Sequence, residues 1–235
     1  MNKLIVVTGG TKGIGRAIIE KFSSDNFDVI TCSRSQRDLE LLKTDIQKSN
    51  PSINVFGQQA DLSEKHQVKT FCDFVNKLNR PVDVLVNNAG YFLPGEIISE
   101  PEGTLESMIN ANMYSAYYTT RGLVPSMKEK KSGHIFNMCS IASIEAYPNG
   151  GSYAISKFAL LGFSKCLREE LKAFGIRVTA VLPGATKTAS WEGVDIPDER
   201  FMKPEDVADT IYAAYVLSPR SVVEEIIIRP QLGDI

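Results

Sequence analysis

The sequence predicts a doubly wound α/β fold, in which one parallel sheet is covered by helices on both faces. Three observations lead to this prediction: seven short β-branched runs occur, longer amphipathic stretches alternate with them, and a glycine-rich turn follows the first run. This alternation is typical of repeated βαβ units whose strands are buried on both faces. Since no linker or repeat divides the chain, we predict one domain over residues 1–235.

Each predicted strand is a short apolar run next to turn-forming residues. The predicted strands are Leu4–Thr8, Asp28–Ser33, Asn54–Gly57, Asp83–Asn87, His134–Cys139, Arg177–Leu182 and Glu225–Ile228. The predicted helices are Gly15–Ser24, Gln36–Lys48, Glu64–Leu78, Thr104–Lys128, Tyr153–Phe174 and Pro204–Leu217. Lys187 to Lys203 fits neither pattern and is predicted to be an irregular loop. Its part from Ala189 to Arg200, which contains Trp191, is expected to close over a substrate.

Composition excludes several classes of protein. The 26 Lys and Arg residues nearly balance the 28 Asp and Glu residues, which gives a net charge of −2 and no bulk attraction for nucleic acid. No apolar run approaches the ~18 residues of a membrane span, so we expect a cytoplasmic protein. The four cysteines are scattered without a CxxC pair, and the two histidines have no second ligand at helical spacing. Neither a disulfide framework nor a metal site is predicted.

The turn after the first predicted strand carries a candidate phosphate site. It reads Thr-Gly-Gly-Thr-Lys-Gly-Ile-Gly over residues 8–15. Glycines at these places allow a tight turn and close approach of the backbone to a pyrophosphate, which the helix N-terminus attracts. Their spacing, G-x-x-x-G-x-G, differs from the common G-x-G-x-x-G fingerprint. A plain strand-to-helix turn is the alternative.

The spacing of these glycines resembles that of the short-chain dehydrogenase/reductase family, and four later motifs agree. Asn87-Asn88-Ala89-Gly90 closes the fourth strand, Ser140 closes the fifth, a Tyr-x-x-x-Lys pair at Tyr153 and Lys157 opens a helix, and Pro183 to Thr188 leaves the sixth. Ser140 and Tyr153 are 13 residues apart, as is typical of that family. The order and the length match its short subdivision. The resemblance implies a Rossmann-like fold and an oxidoreductase with a nicotinamide cofactor.

The resemblance also implies which residues contact the cofactor. These are Gly9, Thr11, Lys12, Gly13, Ile14, Gly15, Asn88, Ala89, Gly90, Tyr153, Lys157, Pro183, Gly184, Thr186 and Thr188. Asp61 and Leu62 resemble the family's adenine contact. Alternatively, Asp61 caps the segment that starts at Ser63.

The end of the second strand predicts NADP rather than NAD. A free ribose 2′-hydroxyl is normally held by an acidic residue roughly 20 residues after the glycine loop. That place carries Ser33 and Arg34, and Lys12 can reach the same corner. Two cations without a carboxylate suit a 2′-phosphate. An ordinary solvated side chain is the alternative for Arg34.

Tyr153 and Lys157 lie four apart on a predicted helix and so share one face. A free tyrosine ionises near pH ~10, so general acid–base work needs a stabilised phenolate. We expect Lys157 and the positive nicotinamide together to lower the pKa of Tyr153. By resemblance, Ser140 fixes the substrate oxygen and Tyr153 exchanges its proton. Asn112 matches the family's asparagine of the proton relay, with Asn110 as a competing assignment.

These residues predict NADPH-dependent interconversion of a carbonyl and an alcohol. A 3-oxoacyl-carrier-protein reductase is an alternative, although the chain end from Ile228 resembles the branch that acts on small hydroxy acids and miscellaneous carbonyls. A non-catalytic NADP-sensing protein is an alternative from another class. Several aromatic and cyclic side chains either line the substrate pocket or simply pack. They are Tyr91, Phe92, Pro94, Tyr147 and Trp191.

The two long predicted helices resemble the family's paired interface helices. Their outward apolar residues are expected to include Tyr117, Leu161 and Phe163. A monomer would expose them, so we predict a homodimer or a tetramer of dimers.

Overall fold

The computed structural model describes residues 1–191 and 193–235. Its centre is a seven-stranded parallel sheet in the order β3-β2-β1-β4-β5-β6-β7. The strands are β1 (Leu4–Thr8), β2 (Asp28–Ser33), β3 (Val55–Gln59), β4 (Val84–Asn87), β5 (Gly133–Met138), β6 (Ile176–Pro183) and β7 (Glu225–Ile228). The predicted doubly wound class is confirmed, and the strand ends agree with the prediction to within two residues.

Helices cover both faces of this sheet. They are α1 (Gly13–Ser24), α2 (Gln36–Ser49), α3 (Lys65–Asn76), α4 (Thr104–Ile109), α5 (Ser115–Lys130), α6 (Gly151–Leu171) and α7 (Pro204–Tyr215). None of the helices in the described ranges is both long and apolar enough to cross a bilayer.

Burial on both faces explains why the strands are apolar throughout. In β1, Ile5 and Val7 join the core cluster that contains α1 and α7, whereas Leu4 and Val6 join the cluster that contains α3 and α5. Successive side chains of a strand point to opposite faces, so both sets must be apolar. The strand order reverses between β1 and β4, and the loops after these strands meet at the carboxyl edge, where open α/β sheets bind ligands.

Two predictions about the helices are wrong. The predicted helix Thr104–Lys128 is interrupted by a π-helical turn over Asn110–Tyr114. Such a widened turn inserts one residue, and helical periodicity does not reveal it. Leu161 is buried, because it packs with Leu160 and Leu182 in a third core cluster instead of facing outward. The outer face of α6 instead exposes Ile155 and Phe158.

Candidate active site

The glycine turn between β1 and α1 is shaped for close approach. Gly13 has φ of +54°, and a Cβ there would lie 3.1 Å from Cγ2 of Thr188. A Cβ on Gly15 would lie 2.5 Å from Nδ2 of Asn88 and 2.6 Å from the carbonyl oxygen of Gly9. The first contact brings the loop after β6 against the turn, and the second brings the loop after β4 against it. Three predicted cofactor segments therefore meet at one sheet edge.

Hydrogen bonds hold the loops after β1 and β4 together. Asn88 Nδ2 donates to the carbonyl oxygens of Thr8 and Gly9, at 3.0 Å each. Thr8 Oγ1 accepts from the backbone N–H groups of Asn88 and Ala89, at 2.9 Å each. The side chain of Asn88 thus fixes the glycine turn.

After β6, backbone pairing sets the course of the chain. Gly184 N donates to Ile228 O at 2.8 Å, and Thr186 forms an isolated parallel bridge with Met202. Thr186 Oγ1 donates to Gly184 O at 3.1 Å. The Thr186 hydroxyl therefore forms a hydrogen bond within the loop after β6, whereas the side chain of Thr188 lies against Gly13 of the glycine turn.

The predicted 2′-phosphate corner near Ser33 and Lys12 contains a carboxylate that the sequence pattern did not predict, that of Asp38. Lys12 Nζ pairs with Asp38 Oδ2 at 2.9 Å, and this pairing holds the pKa of Asp38 below its ordinary value. Thr11 Oγ1 donates to Ser33 Oγ at 3.3 Å, and Arg34 is exposed. The prediction of two cations without a carboxylate is therefore wrong in its second half. Ser35 caps α2 by accepting from Asp38 N at 3.2 Å, so the S-x-x-D pattern was the available signal for where Asp38 lies.

The capping alternative for Asp61 is wrong, because α3 begins at Lys65 with Glu64 as its N-cap residue, and Asp61 instead closes a turn ahead of the helix. Its carboxylate accepts from Ser63 N at 3.0 Å and from Ser63 Oγ at 2.8 Å. Leu62 is buried in the core cluster that contains α3. An adenine contact remains a prediction for both residues.

Ser140, Tyr153 and Lys157 come together from β5 and α6. Ser140 follows β5 and caps a short 3₁₀ turn by accepting from Ala142 N at 3.1 Å. Lys157 Nζ lies 5.6 Å from the centre of the Tyr153 ring and donates to Met138 O at 2.8 Å. Lys157 is only 6 % exposed, so its ammonium stands in a nearly dry cleft. The sequence analysis predicted that Tyr153 and Lys157 share one helical face, but it did not predict the hydrogen bond from Lys157 to the carbonyl oxygen of Met138.

Burial controls the ionisation of this group. Desolvation raises the pKa of Tyr153, and the Ser140 hydroxyl, within hydrogen-bonding reach of the phenol, partly opposes the rise. Desolvation also lowers the pKa of Lys157 to about 8. The expected lowering of the phenol pKa is therefore not produced by the protein's own groups, because the cost of burying a phenolate dominates.

Asn112 lies in the π-helical turn and connects α6 to the loop after β4. Its Oδ1 accepts from Tyr91 N at 2.9 Å, and its Nδ2 donates to Tyr91 O at 3.1 Å and to Ser156 Oγ at 2.9 Å. Ser156 Oγ in turn donates to Tyr153 O at 2.6 Å. Asn112 is 1 % exposed. The competing Asn110 begins the same turn.

Aromatic side chains divide between the site and the loop beyond β6. The rings of Phe92 and Tyr153 meet edge to face at 4.9 Å, so Phe92 lies against the candidate acid. Trp191, in the predicted lid, packs on Phe201 just after that segment, with ring centres 5.1 Å apart, and residue 192 of the segment lies outside the described residues. Tyr147 lines an open cavity of about 340 Å³ together with residues 95–98, Pro148, Asn149 and Gly151. Tyr91 and Pro94 are exposed, and neither lines this cavity.

The described residues fit a dinucleotide. The absence of side chains at Gly13 and Gly15 lets Thr188 and Asn88 approach the turn closely, so the loops after β6 and β4 border it. The N-terminus of α1 follows immediately, with backbone N–H groups suited to phosphate oxygens. At the other end of the cleft, Lys157 has one hydrogen-bond partner among the described residues and further N–H donors available for a ribose.

Comparison with known proteins gives concordant matches. Residues 3–197 match the family described as short chain dehydrogenase. A sepiapterin reductase from Chlorobaculum tepidum is 33 % identical over 245 residues, covering 100 % of this chain and 99 % of the relative.

Two solved structures extend these matches to the fold. An alcohol dehydrogenase from Thermococcus sibiricus, complexed with 5-hydroxy-NADP, superposes with a TM-score of 0.92 at 25 % identity and covers 100 % of this chain and 99 % of its own. L-Sorbose reductase from Gluconobacter frateurii, complexed with NADPH and L-sorbose, gives 0.89 at 25 % identity, with 97 % and 95 % coverage.

Proposed function

This chain belongs to the short-chain dehydrogenase family of oxidoreductases, and we propose that it interconverts a carbonyl and an alcohol with NADPH. The observation that carries the proposal is that the Tyr153 phenol is within hydrogen-bonding reach of the Ser140 hydroxyl, while the Lys157 ammonium lies 5.6 Å from its ring centre. An acid beside a hydrogen-bond donor in a dry cleft can hold a carbonyl oxygen and protonate it.

In this proposal the bound cofactor would supply the hydride for the carbonyl carbon, and its nicotinamide ring would be positively charged in the oxidised form. Ser140 positions the substrate oxygen, and Tyr153 gives its phenolic proton to that oxygen during reduction. Lys157 stabilises the resulting phenolate, because the ammonium lies over the same ring in low dielectric. Asn112 holds the Tyr91 backbone and, through Ser156, the carbonyl of Tyr153.

The choice of NADPH rests on Lys12 and Arg34 at the adenosine corner. The alcohol dehydrogenase and the sorbose reductase, which are similar over nearly their whole length, were solved with an NADP analogue and with NADPH. Because the carboxylate of Asp38 pairs with Lys12, it offsets part of the positive charge that Lys12 offers to a 2′-phosphate. Arg34 therefore carries most of the proposed preference.

The relatives support small polar carbonyl compounds as the substrate class. Their names refer to a pterin and to a ketose, and both molecules carry a ketone beside oxygen or nitrogen functions. Consumption of NADPH tests this with 2,3-butanedione, sepiapterin, L-sorbose and a 3-oxoacyl thioester of acyl carrier protein. We expect turnover of at least one of the first three. Preference for the thioester would favour the acyl-carrier-protein reductase, and NADPH binding without any turnover would favour the sensor.

We further propose a homodimer or a tetramer of dimers in the cytoplasm. Ile155 and Phe158 on α6 are 40 % and 46 % exposed, and Tyr114 beside α5 is 41 % exposed. Such apolar residues on neighbouring helices suit a self-complementary contact. The four free cysteines suit a reducing compartment. Light scattering should give a multiple of 25.9 kDa, and a monomer would contradict the assembly.

A further inference from the structure

The first turn of α6, which carries Tyr153, is held by a residue far earlier in the chain. The helix has no side-chain cap of its own at Gly150. Instead, Glu100 Oε1 accepts from Ser152 N at 2.8 Å, and Glu100 Oε2 accepts from the Ser152 hydroxyl. Glu100 thus provides both an acceptor for an unpaired helical N–H group and a negative charge at the positive end of the helix.

The packing around this contact shows that it is built into the fold. A Cβ on Gly151 would overlap Glu100 Oε1 and the carbonyl oxygen of Gly95, so this close approach requires glycine. Gly95 N donates to Asn149 O at 3.0 Å, just before the helix. Ser152, the residue that Glu100 holds, is only 2 % exposed.

The same segment also touches the candidate acid directly. Phe92 meets the Tyr153 ring at 4.9 Å, and Ser152 is the residue immediately before Tyr153. The stretch from Phe92 to Glu100 therefore contacts the start of α6 at the phenol, at the preceding turn and at the first helical N–H groups.

We propose that Glu100 is a positioning residue that fixes the Tyr153 phenol by anchoring the first turn of α6. This inference rests on the proposed function for its kinetic consequences. Removing the anchor lets the turn fray, and the phenol then spends less time in line with the substrate oxygen. Proton transfer is sensitive to such displacement, so the effect falls on kcat.

The test compares Glu100→Gln with Glu102→Gln. Glutamine keeps the size of Glu100 and one acceptor oxygen but loses the charge and the second acceptor. Glu102 is an exposed carboxylate two residues later, so its variant makes the same charge change in the same segment. With 2,3-butanedione as substrate, kcat of Glu100→Gln should fall about 10-fold, while its NADPH dissociation constant stays at the wild-type value. For Glu102→Gln, both kcat and the NADPH dissociation constant should equal those of the wild type.

A readout independent of activity is amide hydrogen exchange in the first turn of α6. Residues 151–156 should exchange faster in Glu100→Gln than in wild type, while Glu102→Gln leaves them unchanged. The double variant Glu100→Gln, Ser152→Ala should lose less kcat than the product of the two single losses, because both substitutions weaken the same interaction between Glu100 and Ser152.

The proposal is overturned if exchange and kcat of Glu100→Gln match the wild type, if Glu102→Gln shows the same loss, or if the loss is in NADPH affinity. Tyr153→Phe separates the two ideas. If that variant stays active, the proposed function fails whatever Glu100 does. If it is inactive while Glu100→Gln is unaffected, only the positioning role fails.

Discussion

The two ends of the proposed cofactor cleft lie on one sheet edge but are built from different kinds of interaction. At the catalytic end, Ser140 and Lys157 are 8 % and 6 % exposed. At the adenosine end, the Lys12 side chain is 70 % exposed, and the carboxylate of Asp38 accompanies it. Buried charges act in low dielectric and are held by packing, whereas exposed charges are screened and adjustable. Substitutions should therefore have salt-independent effects at the first end and salt-dependent effects at the second.

The largest effect is expected for Tyr153→Phe. It removes the proton donor but keeps the ring that packs on Phe92. Because general acid catalysis contributes ~10² to 10⁴ in rate, kcat should fall by at least that lower bound, with NADPH affinity unchanged. Steady-state kinetics at low and high salt check this, with Tyr118→Phe on α5 as the matched control. If Tyr153→Phe kept the wild-type kcat, Tyr153 would not be the proton donor, and the buried end of the cleft would not be the catalytic end.

The cost of burying Lys157 should be visible in the pH dependence of stability. Its pKa is about 8 in the fold against 10.5 ordinarily, so the unfolded chain binds more protons between these values. The free energy of unfolding therefore rises with pH across that window, by about 2 to 3 kcal/mol from this residue. Below pH 8, that cost is fully present.

Denaturant titrations of the cofactor-free protein at several pH values measure this. Lys157→Met should lose the rise with pH, whereas Lys165→Met, at an exposed lysine of the same helix, should keep it. An unchanged slope in Lys157→Met would mean that the ammonium is better solvated than its burial indicates.

The substitution Arg34→Asp tests the exposed adenosine end of the cleft. It removes a cation and places a like charge beside the proposed 2′-phosphate, so kcat/KM for NADPH should fall about 100-fold relative to NADH, or ~2.7 kcal/mol. Raising the ionic strength should shrink that difference. Equal use of NADH and NADPH by the wild type at low salt would contradict the assigned cofactor preference.

The smallest effect is expected for Asp38→Asn. Freeing Lys12 from its 2.9 Å ion pair should strengthen NADPH binding about 2- to 5-fold at low salt, as exposed pairs contribute ~0.2 to 1 kcal/mol. Asp45→Asn is the control, because Asp45 lies on α2 as Asp38 does but pairs with Arg16 of α1. Weaker NADPH binding in Asp38→Asn would show that the pair positions Lys12 instead of competing for it.

The sequence by itself determined the doubly wound class and the strand ends to within two residues. Strand alternation and helical periodicity are local properties, and burial on both faces makes each strand of a parallel sheet apolar. The spacing of Tyr153 and Lys157 likewise placed both on one helical face without any tertiary information. Their proposed chemistry depends on that local geometry.

Only the tertiary structure decided which side chains meet across distant segments. Asp38 beside Lys12, Glu100 on Ser152 and the burial of Leu161 depend on the course of loops and on the packing of layers. The rise in the pKa of Tyr153 also follows from burial, which no spacing encodes. Periodicity selects backbone conformation and one buried face, but contacts between loops depend on where the packed core places their ends.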